Sequence, residues 1–152
     1  MIEAFPAQIR AVIDVNLLVR GILSQTGGSA RLIQLLEQGR FLAITSRTHL
    51  EELHRVLGYS RLVRKYRLTR RHRQRIVAQL YKRSVWVAPI GTLSLCRDPK
   101  DDYLIEMALL GRSAYLVSDD KDLVTDSTIS MFLKQRNIRL VRLEEFLAVL
   151  QN

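Results

Sequence analysis

A chain of 152 residues fits one domain with a sizeable core, and its 47% apolar content excludes a disordered protein. The net charge of +9 favours an anionic partner, nucleic acid ahead of a membrane surface, because no basic amphipathic stretch carries the aromatic anchors of an interfacial helix. Cys96 is the only cysteine, no N-terminal stretch has the pattern of a secretion signal, and no apolar run reaches the roughly 18 residues needed to span a bilayer, so a reducing cytoplasm is the expected home.

In chain order, Met1 to Gln8 reads as a loose lead-in. Ile9 to Val15 is β-branched and apolar on both alternations apart from Arg10 and Asp14, the pattern of a central parallel strand covered on both faces. Asp14 falls at its carboxyl end, where a charge is costly unless something pairs with it. Leu17 to Leu23 and Ser29 to Glu37 read as short helices separated by a Gly27-Gly28 turn. That turn is not a phosphate-binding loop, since no Lys-Ser or Lys-Thr follows it.

Phe41 to Thr45 predicts a second strand and Ser46 to Leu57 a helix with Leu50, Leu53, Val56 and Leu57 inward. Glu51 then lies opposite the buried stripe while Glu52 flanks it, which makes Glu52 the better candidate for an inner role. Ser60 to Arg83 turns basic and helical, with Thr69 as an N-cap ahead of Arg70, Arg71, Arg73 and Arg75. Val85 to Ile90 predicts a third strand, which Pro89 assigns to a sheet edge.

The stretch Arg97 to Leu123 concentrates carboxylates in a basic chain. Asp98 followed by Pro99 predicts a capped helix start. The helix places Leu104, Ile105, Ala108 and Leu109 on one face, with Asp101 on that buried face and Asp102 at its rim. After a stop at Gly111, Ala114 to Val117 predicts a fourth strand ending in Ser118, Asp119, Asp120, Lys121 and Asp122. Thr125 to Arg136 reads as a helix, Ile138 to Val141 as a fifth strand and Glu144 to Leu150 as a closing helix. Strands alternating with helices predict a single α/β domain over 1–152, a five-stranded parallel sheet with helices on both faces.

If Asp14, Asp101 and Asp120 meet beyond the carboxyl edge of the sheet with Glu52 beside them, their mutual repulsion calls for a hard divalent cation such as Mg2+ or Mn2+. One or two such ions would orient a phosphodiester for hydrolysis. Competing chemistries are poorly served. His49 and His54 lack the spacing of a zinc site, Cys96 lacks a paired histidine, and no serine sits in a G-x-S-x-G elbow.

Four separated segments carry a resemblance: VIDVNLLV at 12 to 19, SRTHLEELHRVL at 46 to 57, DPKDDYLIEMAL at 98 to 109 and YLVSDDKDL at 115 to 123. In this order they resemble the PIN-domain ribonucleases, in particular those that serve as toxins of bacterial toxin-antitoxin pairs. The resemblance implies a metal-dependent endoribonuclease with Mg2+ or Mn2+ held by Asp14, Glu52, Asp101 and Asp120, and Asp122 as an additional acid. Asn16 and Ser118 support the site. Partners so implied are an RNA substrate, an antitoxin protein and a second copy of the chain as a homodimer. Arg70, Arg71 and Arg73 are the candidate RNA contacts. Two other readings stand beside it: a non-catalytic nucleic-acid-binding module, and a phosphatase of the haloacid dehalogenase type, whose D-x-D-x-T motif would need Asp where Asn16 stands.

Overall fold

A computed structural model describes residues 8–82 and 84–151; the expected lead-in, save Gln8, lies outside the described residues. Five strands form one parallel sheet: β1 (Arg10–Ile13), β2 (Leu42–Thr45), β3 (Val85–Trp86), β4 (Tyr115–Val117) and β5 (Arg139–Val141). Their order is β3-β2-β1-β4-β5. The central strand shows why the chain needs helices on both sides. Ala11 and Ile13 enter one apolar cluster and Val12 enters another, as alternation of side chains across a strand requires.

The first face is covered by α1 (Val15–Leu23), α2 (Gly28–Glu37), α3 (Arg47–Leu57), α5 (Arg70–Tyr81) and α9 (Leu143–Gln151), which supply Leu17, Leu32, Leu53, Leu80 and Phe146 to its cluster. The second is covered by α6 (Asp102–Leu110) and α8 (Ser127–Lys134), through Leu104, Ile105, Ala108, Ile129 and Leu133. Two short helices, α4 (Ser60–Tyr66) and α7 (Lys121–Val124), complete the set of described helices.

Several boundaries differ from expectation for local reasons. The helix expected over Thr125 to Arg136 forms over the shorter span Ser127–Lys134, because the Asp126 carboxylate accepts the Ile129 N–H and caps α8 at that point. The third strand stops at Trp86 instead of Ile90, although β3 does lie at the sheet edge. The chain passes Gly111 with ordinary helical φ, and the left-handed residue is Arg112 at φ 49°. Gly111 is needed for closeness instead, since a Cβ there would fall 2.7 Å from Ile44 of β2. After Pro99 the chain first makes a 3-10 turn, Pro99–Asp101, before α6 begins.

The order of strands positions the site. Connections leave β1 toward β2 and β3 on one side, while β4 and β5 lie on the other. A crevice therefore opens between the carboxyl ends of β1 and β4, where open α/β sheets bind ligands.

Candidate active site

Asp14 immediately follows β1, and its backbone is fully engaged: its N–H donates to Val117 O (2.9 Å) and its carbonyl accepts from Leu17 N–H (3.1 Å). Its carboxylate makes no cap to α1, which leaves it to accept from Ser118 Oγ at 2.7 Å. Ser118 is fully buried, and its Oγ also accepts the Asp120 N–H at 3.0 Å. One hydroxyl thus ties the end of β1 to the loop after β4. Burial pushes the Asp14 carboxyl up, opposed by the Ser118 hydroxyl, with the Asp120 charge adding to the rise.

Asp101 sits at the end of the 3-10 turn, half-buried, while the preceding Asp98 caps that turn by accepting the Lys100 N–H at 3.0 Å. Burial, then the charges of Asp14, Asp98, Asp120 and Asp102, push the Asp101 carboxyl up to about 6. Two cavities meet at this residue. One of about 490 Å³ is lined by Asp14, Asn16, Glu52, Asp98 and Asp101, with Arg55 and Lys100. The other, of about 290 Å³, is lined by Asp98, Asp101, Asp120 and Asp122, with Arg97.

Glu52 is half-buried on α3 and faces the larger cavity, whereas Glu51 points outward to Arg47, 3.0 Å away. Glu52 is held by Arg55: Nε donates to Oε2 at 3.0 Å and Nη2 donates to Oε1. Asp120 is exposed and caps α7 through the Asp122 N–H, and Asp122 is exposed at the rim of the smaller cavity. Arg70 and Arg71 are exposed, Arg73 is half-buried, and none of the three lines either acidic cavity.

Among the described residues no three His, Cys, Asp or Glu side chains converge closely enough to hold one ion. The carboxylates are instead spread around two adjoining cavities with Asp101 common to both. That donor set still fits Mg2+ or Mn2+. Mg2+ commonly takes one or two carboxylates and keeps several waters, and Asp101, raised first by burial and then by the charges of Asp14, Asp98, Asp120 and Asp102, is an anion that a cation would relieve.

Three acids do other work than the pattern predicts. Asp102, expected at the rim of its helix, is buried, and its Oδ1 accepts the N–H groups of Leu95 (2.9 Å) and Cys96 (2.7 Å). One turn later, buried Glu106 accepts those of Ile90 (2.8 Å) and Gly91 (3.0 Å). Together they pin the irregular loop that delivers Asp98 to the cavities. Asp119 accepts the Leu143 N–H at 3.0 Å and pairs with Arg20 at 3.2 Å, joining the loop after β4 to α9 and α1.

Beneath the acids lies buried His49, whose Nε2 is 2.8 Å from Ile13 O and whose Nδ1 is 2.8 Å from the Tyr81 hydroxyl. A carbonyl only accepts, so Nε2 carries the proton and Nδ1 accepts from Tyr81. Helix α3 is thereby tied to the residue before Asp14 and to α5. Burial lowers the imidazole to about 4, so it stays neutral at physiological pH.

The family model described as PIN domain matches residues 10–122, well over half of the chain and a span containing every acid of the two cavities. An uncharacterized protein of Methanocaldococcus jannaschii is 26% identical over 136 residues, covering 88% of this chain and 84% of that protein.

Proposed function

Because this chain belongs to the PIN-domain family, whose members are generally nucleases, we propose that it is a divalent-metal-dependent endoribonuclease. The observation that carries this reading is Asp101: a half-buried carboxyl shared by two cavities, destabilised as an anion first by burial and then by four neighbouring acids. Asp14, Asp101 and Asp120 are the acids we assign to Mg2+ or Mn2+, with Glu52 and Asp122 completing the set. A cation held there would orient a phosphodiester, help deprotonate an attacking water and stabilise the departing oxygen.

The chain's own residues have distinct tasks in this scheme. The Ser118 hydroxyl holds Asp14 and the Asp120 backbone in a fixed relation. Asn16, at the mouth of the larger cavity, offers an amide to the acids or to the substrate. Arg55 restrains Glu52 and keeps a cation at the cavity wall. We further read the chain as the cytoplasmic toxin of a toxin-antitoxin pair, acting as a homodimer; the four motifs of the sequence support this.

The decisive experiment is calorimetric titration with Mn2+ alongside cleavage of an unstructured RNA. Wild type should bind the ion and cut, while Asp14→Asn and Asp101→Asn should fold and fail. Undiminished cleavage by both variants, or by wild type in excess EDTA, would overturn the assignment.

A further inference from the structure

An acidic cavity repels a polyanion, so its substrate must be gripped from the rim. At the turn between α3 and α4 stands Tyr59, 43% exposed, whose hydroxyl accepts from Arg55 Nη1 at 2.6 Å. The Arg55 guanidinium carbon is 5.5 Å from the centre of the Tyr59 ring, and the same side chain lines the larger acidic cavity. Glu52 holds the other side of this guanidinium, which is fixed at both ends yet 56% exposed. A Cβ on Gly58 would fall 2.8 Å from Arg73 Nη1, so Arg73 of α5 lies against the same turn. Outward from the cavity, the order is therefore carboxylate, guanidinium and aromatic ring, with a second guanidinium against the turn that carries the ring.

That order matches a single strand of nucleic acid, which offers phosphates to cations and a free π-face to an aromatic ring. A duplex keeps its bases stacked inside and has no face to give the ring. We infer that Tyr59, flanked by Arg55 and Arg73, is a platform that stacks one unpaired nucleobase of a single-stranded RNA entering the acidic cavity. The inference rests on the ribonuclease reading for the direction of the strand, but its test is one of binding.

The test uses the full chain carrying Asp101→Asn, so that RNA is bound uncut, with a labelled unstructured oligoribonucleotide and a duplex of equal length. Tyr59→Ala should weaken single-strand binding roughly 5- to 150-fold, the range for loss of one stacked base, and leave duplex binding unchanged. Tyr59→Phe keeps the ring and loses only the bond to Arg55, and it should bind nearly as well as the parent. Tyr59→Trp combined with Trp86→Phe should show emission quenched by the single strand and not by the duplex. Equal single-strand binding by Tyr59→Ala and the parent would overturn the platform. So would equal losses for Ala and Phe, which would leave Tyr59 as a mere partner of Arg55, and so would equal losses on duplex. Cleavage by the wild type is scored separately. If it cuts RNA while Tyr59→Ala binds normally, this inference alone falls; if it cannot cut while Tyr59→Ala loses single-strand affinity, the platform stands and the nuclease reading falls.

Discussion

Two adjacent regions use charge in opposite ways. Residues 53–97 contain twelve Lys and Arg and no Asp or Glu, whereas residues 98–126 contain eight acids and only Lys100, Arg112 and Lys121 as strong bases. In the basic region α4 buries none of its residues, and Arg55 alone joins an ion pair among the described residues. Its other described cations make no ion pair. In the acidic region nearly every carboxylate is already committed. Asp98, Asp120 and Asp126 cap helices, Asp102 and Glu106 hold a loop, and Asp119 joins two elements. Among the described residues Asp101 and Asp122 accept no hydrogen bond, and of these only Asp101 is half-buried. Density of charge alone therefore does not mark a binding face, and within the acidic region Asp101 stands apart as the inward acid without a donor.

The sharpest break in this comparison is between Asp101 and its neighbour. Asp101→Asn should lower cleavage by at least about a hundredfold. It should also stabilise the metal-free protein. The sign follows from a folded carboxyl raised to about 6 against an ordinary 3.8: ionisation costs stability increasingly above pH 3.8, in full above about 6, and amidation removes that cost at neutral pH. After discounting for partial exposure the gain is about 1 kcal/mol, or about 3 °C in melting temperature, read by calorimetry in chelator. Unaltered cleavage together with lower stability would make Asp101 a structural acid like the rest.

Asp102 should behave in the reverse sense. Asp102→Ala strands the N–H groups of Leu95 and Cys96 and should cost about 3 kcal/mol, visible as a lower denaturation midpoint. Asp102→Asn keeps an acceptor oxygen and should retain most of both stability and cleavage. Loss of cleavage in a stably folded Asp102→Asn protein would place Asp102 among the acids that act in the site.

The division between these neighbours also marks the limit of what residue patterns disclose. Asp98-Pro99 and Thr69 were legible because a cap bonds within three residues of itself, and the same holds for Ser46, whose cap only the structure shows. Strands β1 and β4 were legible because both their faces are covered, and Asp14 and Asp120 followed from the ends of those strands as Asp101 followed from the helix start at Asp98-Pro99. The role of Asp102 was hidden, since its partners belong to an irregular loop that returns over α6 and has no period. The start of α8 two residues later than expected has a local signal too, since Asp126 lies three residues before Ile129, whose N–H it accepts. His49 is buried by the meeting of α3, β1 and α5, which no single segment contains.

That buried imidazole gives a pH test of the same contrast between spent and unspent groups. Its folded value near 4 lies below the ordinary 6.5, so its contribution to stability is complete above pH 6.5 and is lost as pH falls toward 4. The loss is on the order of 3 kcal/mol. Asp101 works oppositely, because acidification from about 6 toward 3.8 relieves its repulsion. Wild type should therefore show a muted acid response, Asp101→Asn a steeper one, and Asp101→Asn with His49→Gln a shallow one, measured by denaturation at pH 7 and 4.5. An equally steep response in the double variant would move the acid sensitivity to another group.

The smallest expected effect concerns how unspent the basic region is. For single strands each phosphate contact contributes about −0.7 to the slope of log affinity against log salt. Replacing Arg70, Arg71 and Arg73 together by Gln should flatten that slope by up to roughly two units if all three touch RNA. The geometry ranks them: Arg73 lies against Gly58, next to Tyr59 in the chain, whereas Arg70 and Arg71 are exposed on the first turn of α5. Arg73→Gln alone should then flatten the slope by about 0.7, with the Arg70→Gln and Arg71→Gln pair adding less per residue. Cleavage by the triple variant should weaken chiefly through KM, since no acid of the cavities is altered. A slope equal to that of the unsubstituted protein, measured on an Asp14→Asn background, would mean that RNA leaves the cavity by another route and that these arginines serve solvent or a protein partner.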